Sequence, residues 1–199
     1  MKNKDPKRMN DNVYLALIEE SHLINYINLS HDPELIDTMG WRPFEIDEQD
    51  RFLSAAEVLT LPYCGDGQPI TFSLITVKGD FPIGYVTLKG MNDDNTSAEL
   101  GIAIMDSDYR CGGYGSEALT LAADYAFNGL QLLVIGLSVF PSNARAIRAF
   151  EKAGFKTVDV LESAWTMQDG EQRDMLLMEL KKDDWITEVG GKADIEEAY

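Results

Sequence analysis

Basic residues are scarce in this 199-residue chain: 17 Lys and Arg stand against 34 Asp and Glu, a formal net charge of −17. That balance excludes nucleic acid as the main partner, because nothing offsets repulsion by phosphate. Cysteine and histidine are scarcer still, two of each (Cys64, Cys111, His22, His31), at spacings that suit no metal site. Long apolar runs are missing as well. The longest candidate, 130–140, contains Gln131 and Ser138 and falls far short of the ~20 residues of a membrane span. The basic N-terminus has no apolar segment directly behind it, so no secretory signal is read and a cytoplasmic protein is expected. There is no G-K-[ST], which excludes a Walker-type phosphate loop. Gly113, Gly115 and Ala118 fit a loose dinucleotide fingerprint, but no acidic residue ends the next strand to hold a ribose. Internal repeats and low-complexity tracts are absent too.

What is present is a globular composition, 45% hydrophobic and 10% aromatic, in a length that suits one α/β-type domain with a sizeable core. Residues 1–11 read as a loose segment, 12–182 as the domain and 183–199 as an acidic tail, disordered or a docking helix. The negative surface has two readings, steering of cationic small molecules or basic proteins, and plain solubility.

The chain is organised around residues 98–115, A-E-L-G-I-A-I-M-D-S-D-Y-R-C-G-G-Y-G. Residues 98–105 form an apolar strand with β-branched Ile102 and Ile104, stopped by Asp106, Ser107 and Asp108. Gly112, Gly113 and Gly115 then allow a sharp bend into a helix over 116–127, marked by Ala118, Leu119, Ala122, Tyr125 and Ala126. Backbone N–H groups exposed at such a helix start suit a phosphate or pyrophosphate.

Before this stretch, 13–18 reads as a strand, 19–29 and 32–39 as short helices, and 47–59 as a helix with Phe52, Leu53, Ala56 and Leu59 inward. Strands over 70–77, 83–89 and 98–105 have short connections and predict an antiparallel meander. After the helix, 132–139 is a strand that must run parallel to its predecessor. Ser142 caps, or nearly caps, a helix ending at 152–154 with Ala144, Ile147 and Phe150 inward, and 155–166 and 173–180 close the sheet as a hairpin.

The loop also matches R-x-x-G-x-G through Arg110, Gly113 and Gly115, and residues 139–155 read V-F-P-S-N-A-R-A-I-R-A-F-E-K-A-G-F. The second block is similar to N-x-x-[AS]-x-x-x-[YFL]-E-K-x-G-F, with Asn143, Ala146, Phe150, Glu151, Lys152, Gly154 and Phe155 in register. Together the blocks resemble the GNAT superfamily of N-acetyltransferases over roughly residues 13 to 181. The G-Y-G-S-E-A form of the loop leans towards its ribosomal-protein-alanine and spermidine acetyltransferase branch. The resemblance implies an α+β fold: a mixed, mostly antiparallel sheet of about seven strands flanked by helices, with a splayed parallel pair forming the CoA slot.

It further implies acetyl-CoA as co-substrate, no metal, and direct transfer to a primary amine, either a small polyamine-like amine or a protein N-terminus. Monomer and homodimer both stay open. Arg110 and the amides of Cys111, Gly112, Gly113, Tyr114, Gly115 and Ser116 would hold the pyrophosphate, Asn143 the pantetheine arm, with Phe150 also facing the cofactor. A strand bulge would free a backbone N–H of Ile102, Ala103 or Ile104 to polarise the thioester carbonyl. Glu99 would be the general base, its proton transfer helped by partial burial among apolar neighbours; the other reading makes it a partner of Lys89 or Arg110. Ile36, Met39, Trp41, Phe44 and Phe52 are candidates for the acceptor side, although core packing suits most of them.

The chain departs from the family pattern at the general acid. Relatives carry a tyrosine, or a serine four residues earlier, where this chain has Phe150 and Ala146, neither with a proton to give. Tyr109 or Tyr114, Tyr85, and water are the remaining donors. The same departure leaves a second reading, a CoA-binding module that has lost transfer chemistry.

Overall fold

The computed structural model of the chain describes residues 11–40, 69–91, 94 and 96–189. Seven strands form one sheet in the order β1-β2-β3-β4-β5-β7-β6. They are β1 (Val13–Leu17), β2 (Ile70–Thr76), β3 (Pro82–Lys89), β4 (Ser97–Ile104), β5 (Val134–Val139), β6 (Lys156–Thr166) and β7 (Gln172–Lys181). Every neighbouring pair is antiparallel except β4 and β5, which run parallel. The sheet expected from the sequence is therefore the one found, and its strand limits fall within two residues of those read.

Helices α1 (Glu20–Leu29) and α2 (Pro33–Met39) follow β1. Asp32 caps α2 by accepting from the Glu34 N–H, Pro33 opens its first turn, and Gly40 ends it at φ 60°. A Cβ at Gly40 would meet the Trp165 indole nitrogen at 2.3 Å, so glycine here serves both the left-handed turn and the close approach of β6. The expected 47–59 helix and the candidates Trp41, Phe44 and Phe52 lie outside the described residues.

Helix α3 (Tyr114–Asp124) begins two residues earlier than its apolar spacing predicts and runs into a π turn closed by Leu130 N–H to the Tyr125 carbonyl. Its inner face, including Ala118, Leu119 and Ala122, buries against Val86, Leu88, Leu100, Ile135 and Leu137 of the sheet. A smaller cluster of Ile18, Leu23, Tyr26, Leu35, Ala103 and Met105 covers the opposite face beneath α1 and α2. Alternate β4 residues thus serve different layers, as a pleated strand requires.

Helix α4 (Ala144–Lys152) is capped by Asn143, whose side chain accepts from the Ala146 N–H at 3.1 Å. Ser142, expected to cap or nearly cap this helix, stands one residue before the cap, because the tight turn after Pro141 starts the helix at Ala144. Ala144 is likewise exposed, and only Phe150 of the expected inner face is fully buried. Helix α5 (Lys182–Val189) continues from β7 and seats Trp185 against Phe127 at 5.6 Å. Among the described residues no helix is long and apolar enough to cross a membrane.

Candidate active site

Strands β4 and β5 pair only at Ser97, Ala98 and Glu99, opposite Val134, Ile135 and Gly136. Beyond those residues they part, and a cleft of about 490 Å³ opens between them, walled by α2, the glycine loop, α3 and α4. On its other edge β5 stays paired with β7 along its whole length, from Val134 opposite Lys181 to Val139 opposite Leu176, so it follows β7 while its β4 edge opens.

Parting leaves backbone groups of β4 without a strand partner. Met105 N–H bonds the Ile83 carbonyl, and antiparallel alternation then assigns Ala103 and Gly101 to the β3 ladder and, beyond the last β5 pair at Glu99, Ile102 and Ile104 to the gap. Of the three donors expected, Ile102 and Ile104 point their N–H groups at the cleft and Ala103 does not. No bulge is needed for this: the β3–β4 register runs unbroken from Gly84–Ile104 to Lys89–Glu99. Within those residues divergence from β5, and not a bulge, frees the donors; a two-on-one pairing, Met105 and Asp106 N–H both to the Ile83 carbonyl, follows directly after them.

The glycine loop opens onto the cleft as its sequence suggests. Gly113 is the N-cap of α3 at φ 89°, no side chain caps that helix, and a Cβ on Gly113 would meet nothing within 4 Å. The first-turn N–H groups of α3 therefore face open space from a glycine that permits close approach, which fits an anionic group such as a diphosphate. Cys111 has φ 66°, so the loop turns left-handed at a non-glycine residue before the glycines.

Arg110 does something else. Its side chain is only 6% exposed. Nε donates to the Ile104 carbonyl at 3.0 Å and Nη2 to the Met105 carbonyl at 2.7 Å. Nη1 pairs with Asp32 at 2.6 Å and Glu34 at 2.8 Å. The guanidinium thus ties the end of β4 to the start of α2, and its donors are committed to protein acceptors. Arg110 and Arg145 together hold the Glu34 carboxyl below the usual carboxylate range, the hydrogen bond from Arg110 being the main cause.

Glu99 lines the cleft at its rim, with its side chain 49% exposed and Oε1 3.2 Å from Lys89 Nζ. The Lys89 partnership named from sequence is present, and the shelter expected of Glu99 is not. Across the cleft, Asn143 and Phe150 line the wall formed by α4. Ala146 stands there too, one turn before Phe150, so no hydroxyl occupies either position.

Of the tyrosines left as proton donors, Tyr109 lines the cleft, with Tyr114 packed edge-on to it at 5.2 Å. Tyr85 belongs to the cluster under α1, near Tyr26, where burial pushes its phenol upward. On the acceptor side Met39 lines the cleft and Ile36 does not. Sequence reading missed Thr38, Ser138, Arg145, Lys152 and Met175, all cleft-lining. For Arg145 and Lys152 a signal existed: with Ala149 they are spaced i, i+4, i+7, one face of the same helix. Among the described residues no group of His, Cys, Asp and Glu is placed to hold a metal ion.

Comparison with known proteins agrees with this geometry. An uncharacterized N-acetyltransferase p20 of Bacillus licheniformis is 28% identical over 65% of this chain and 71% of its own length. The aminoglycoside N(6')-acetyltransferase type 1 of Klebsiella pneumoniae is 29% identical over 74% and 75%. The fold matches a crystal structure of spermidine N-acetyltransferase from Vibrio cholerae in complex with CoA and spermine. The TM-score is 0.75 at 22% identity, covering 89% of this chain and 99% of that one. Residues 12–156 match the family described as the acetyltransferase (GNAT) domain. Strand divergence, uncapped glycine loop and family match coincide on the same residues, and the chain belongs to the GNAT family of N-acetyltransferases.

Proposed function

We propose that this chain transfers an acetyl group from acetyl-CoA directly to a primary amine, of a small polyamine-like molecule or of a protein N-terminus. The observation that carries the reading is the uncapped start of α3, presented by Gly113 to a cleft that β4 and β5 leave open beside it. An extended thioester laid in that cleft has its diphosphate at the amides of Cys111 through Ser116 and its pantetheine arm beside Asn143. Its carbonyl then lies near the N–H groups of Ile102 and Ile104. Glu99, at the open rim, takes the proton of the incoming amine, directly or through water. The reaction forms the amide C–N bond and breaks the thioester C–S bond; with a thiol pKa of about 8.5, thiolate departs without an assigned acid and takes its proton from water.

Relatives that act on spermidine and on aminoglycosides support an amine acceptor, and the chain's charge of −17 supports a cationic one. The test is thiol release from acetyl-CoA against spermidine, aminoglycosides, amino acids and peptides with varied N-termini. Release with at least one amine is expected. Silence across the whole panel, with CoA bound, overturns transfer to these acceptors.

A further inference from the structure

Both polar side chains that α4 offers the cleft beside its start are engaged by α2. Arg145 Nη1 lies 2.6 Å from Glu34 Oε1 and 4.0 Å from Cys111 Sγ, in the loop whose amides face the cleft. Asn143 Nδ2 donates to the Thr38 carbonyl at 3.2 Å. Glu34 and Thr38 are one helical turn apart on α2, and Asn143 and Arg145 flank the start of α4, so one face of α2 spans the cleft mouth. We propose that Arg145 is a further phosphate ligand of CoA, and that Glu34 is its stand-in partner, exchanged for the diphosphate when CoA binds. The proposal rests on the acetyl-CoA reading above and adds to it a second wall for the diphosphate and a contact that must open.

Three features carry it. Arg145 lines the cleft with its side chain 43% exposed, so its guanidinium can turn from Glu34 to a ligand. Its closeness to Cys111 puts it across from the N–H groups of the glycine loop, where a diphosphate leaves oxygens uncovered. Arg110, the arginine that the loop motif would assign to the phosphates, is buried in carbonyl and carboxylate contacts, so the cradle needs a cation from elsewhere. Glu34 can release Arg145 without leaving Arg110 unpaired, because Asp32 keeps its 2.6 Å contact. A ligand that binds only the opened arrangement is weakened by whatever holds the closed one. Glu34 therefore reduces CoA affinity, although it lies on the acceptor-side helix.

The experiment is titration calorimetry of CoA into the full chain and the variants Glu34→Gln, Arg145→Gln and the double variant. Glu34→Gln keeps an oxygen for Arg110 and removes the charge that holds Arg145. It is expected to tighten CoA about three- to tenfold, while Arg145→Gln weakens it about tenfold. In the Arg145→Gln background, Glu34→Gln is expected to gain nothing, since there is no arginine left to release. CoA affinity unchanged or lower in Glu34→Gln overturns the exchange. A gain that persists in the double variant overturns it as well, showing only the field of a removed carboxylate. Unaltered affinity in Arg145→Gln overturns Arg145 as a ligand. If the unaltered chain takes up no CoA at all, the acetyl-CoA reading itself falls.

Discussion

Lys89 Nζ and Glu99 Oε1 stand 3.2 Å apart across neighbouring strands, both side chains about half exposed, with Glu99 at the rim of the cleft. A pair so placed contributes little to stability, and Lys89→Met is expected to change the unfolding free energy by less than about 1 kcal/mol. Glu99→Gln should leave CoA affinity intact and lower turnover, with the largest loss at low pH where the amine most needs a base. A pH–rate profile superimposable on that of the unaltered chain counts against Glu99 as the base.

Arg110 and Gly113 sit three residues apart and should fail differently. Arg110→Gln strips buried contacts from the Ile104 and Met105 carbonyls and from Asp32, and should cost about 2–4 kcal/mol in denaturant unfolding. Gly113→Asp enters open space at φ 89°, where strain costs on the order of 1 kcal/mol, and places a negative charge on the phosphate cradle. It should fold and bind no CoA. A folded Gly113→Asp variant with full CoA affinity removes the loop from the site.

Phe150→Tyr returns a hydroxyl to the α4 wall with little change in volume. If thiolate leaves unassisted, turnover should stay within about threefold of the parent. A tenfold or greater rise shows that protonation of the leaving group had been limiting.

His22 sets a pH dependence of stability. Its Nδ1 lies 2.9 Å from Ser73 Oγ, and burial lowers its pKa from 6.5 against an opposing pull from Glu19. The unfolded chain therefore takes the proton more readily. Stability from the neutral ring is complete above pH 6.5 and is lost as the pH falls through that value towards the depressed one. Glu34, also depressed, adds a second loss at lower pH, below its ordinary 4.5. Thermal unfolding from pH 7.5 to 3.5 should show both slopes, and His22→Gln should erase the upper one alone.

The glycine loop, its helix and the Asn143 block were legible because their signals are local: turn residues, helical spacing and a cap all act within a few positions. Arg110 was not, because what turns it inward is Asp32 and Glu34, more than seventy residues earlier in the chain. The donors on β4 were legible as a segment and misassigned in cause, since a strand's own residues do not record where its neighbour departs. Asn143 was named for the cofactor, and its two ends do separate jobs: Oδ1 caps α4 while Nδ2 reaches Thr38. The exposed Ala144 is a one-residue error of helix phase, and the cap at Asn143 shows why Ser142 could be read only as near the helix start, since spacing alone does not fix that phase.

Strand order has a consequence for synthesis. Strand β7, completed at Lys181, lies inside the sheet between β5 and β6, so the second edge of β5 has no partner until residue 181 has left the ribosome. The first four strands can assemble as they emerge, each beside the one before. Strand β5 must instead wait, with Ile135, Leu137 and Val139 unpaired along one edge, for a hairpin made some forty residues later. Truncation before β7 should therefore yield an aggregating chain rather than a smaller enzyme, although the family match ends at residue 156.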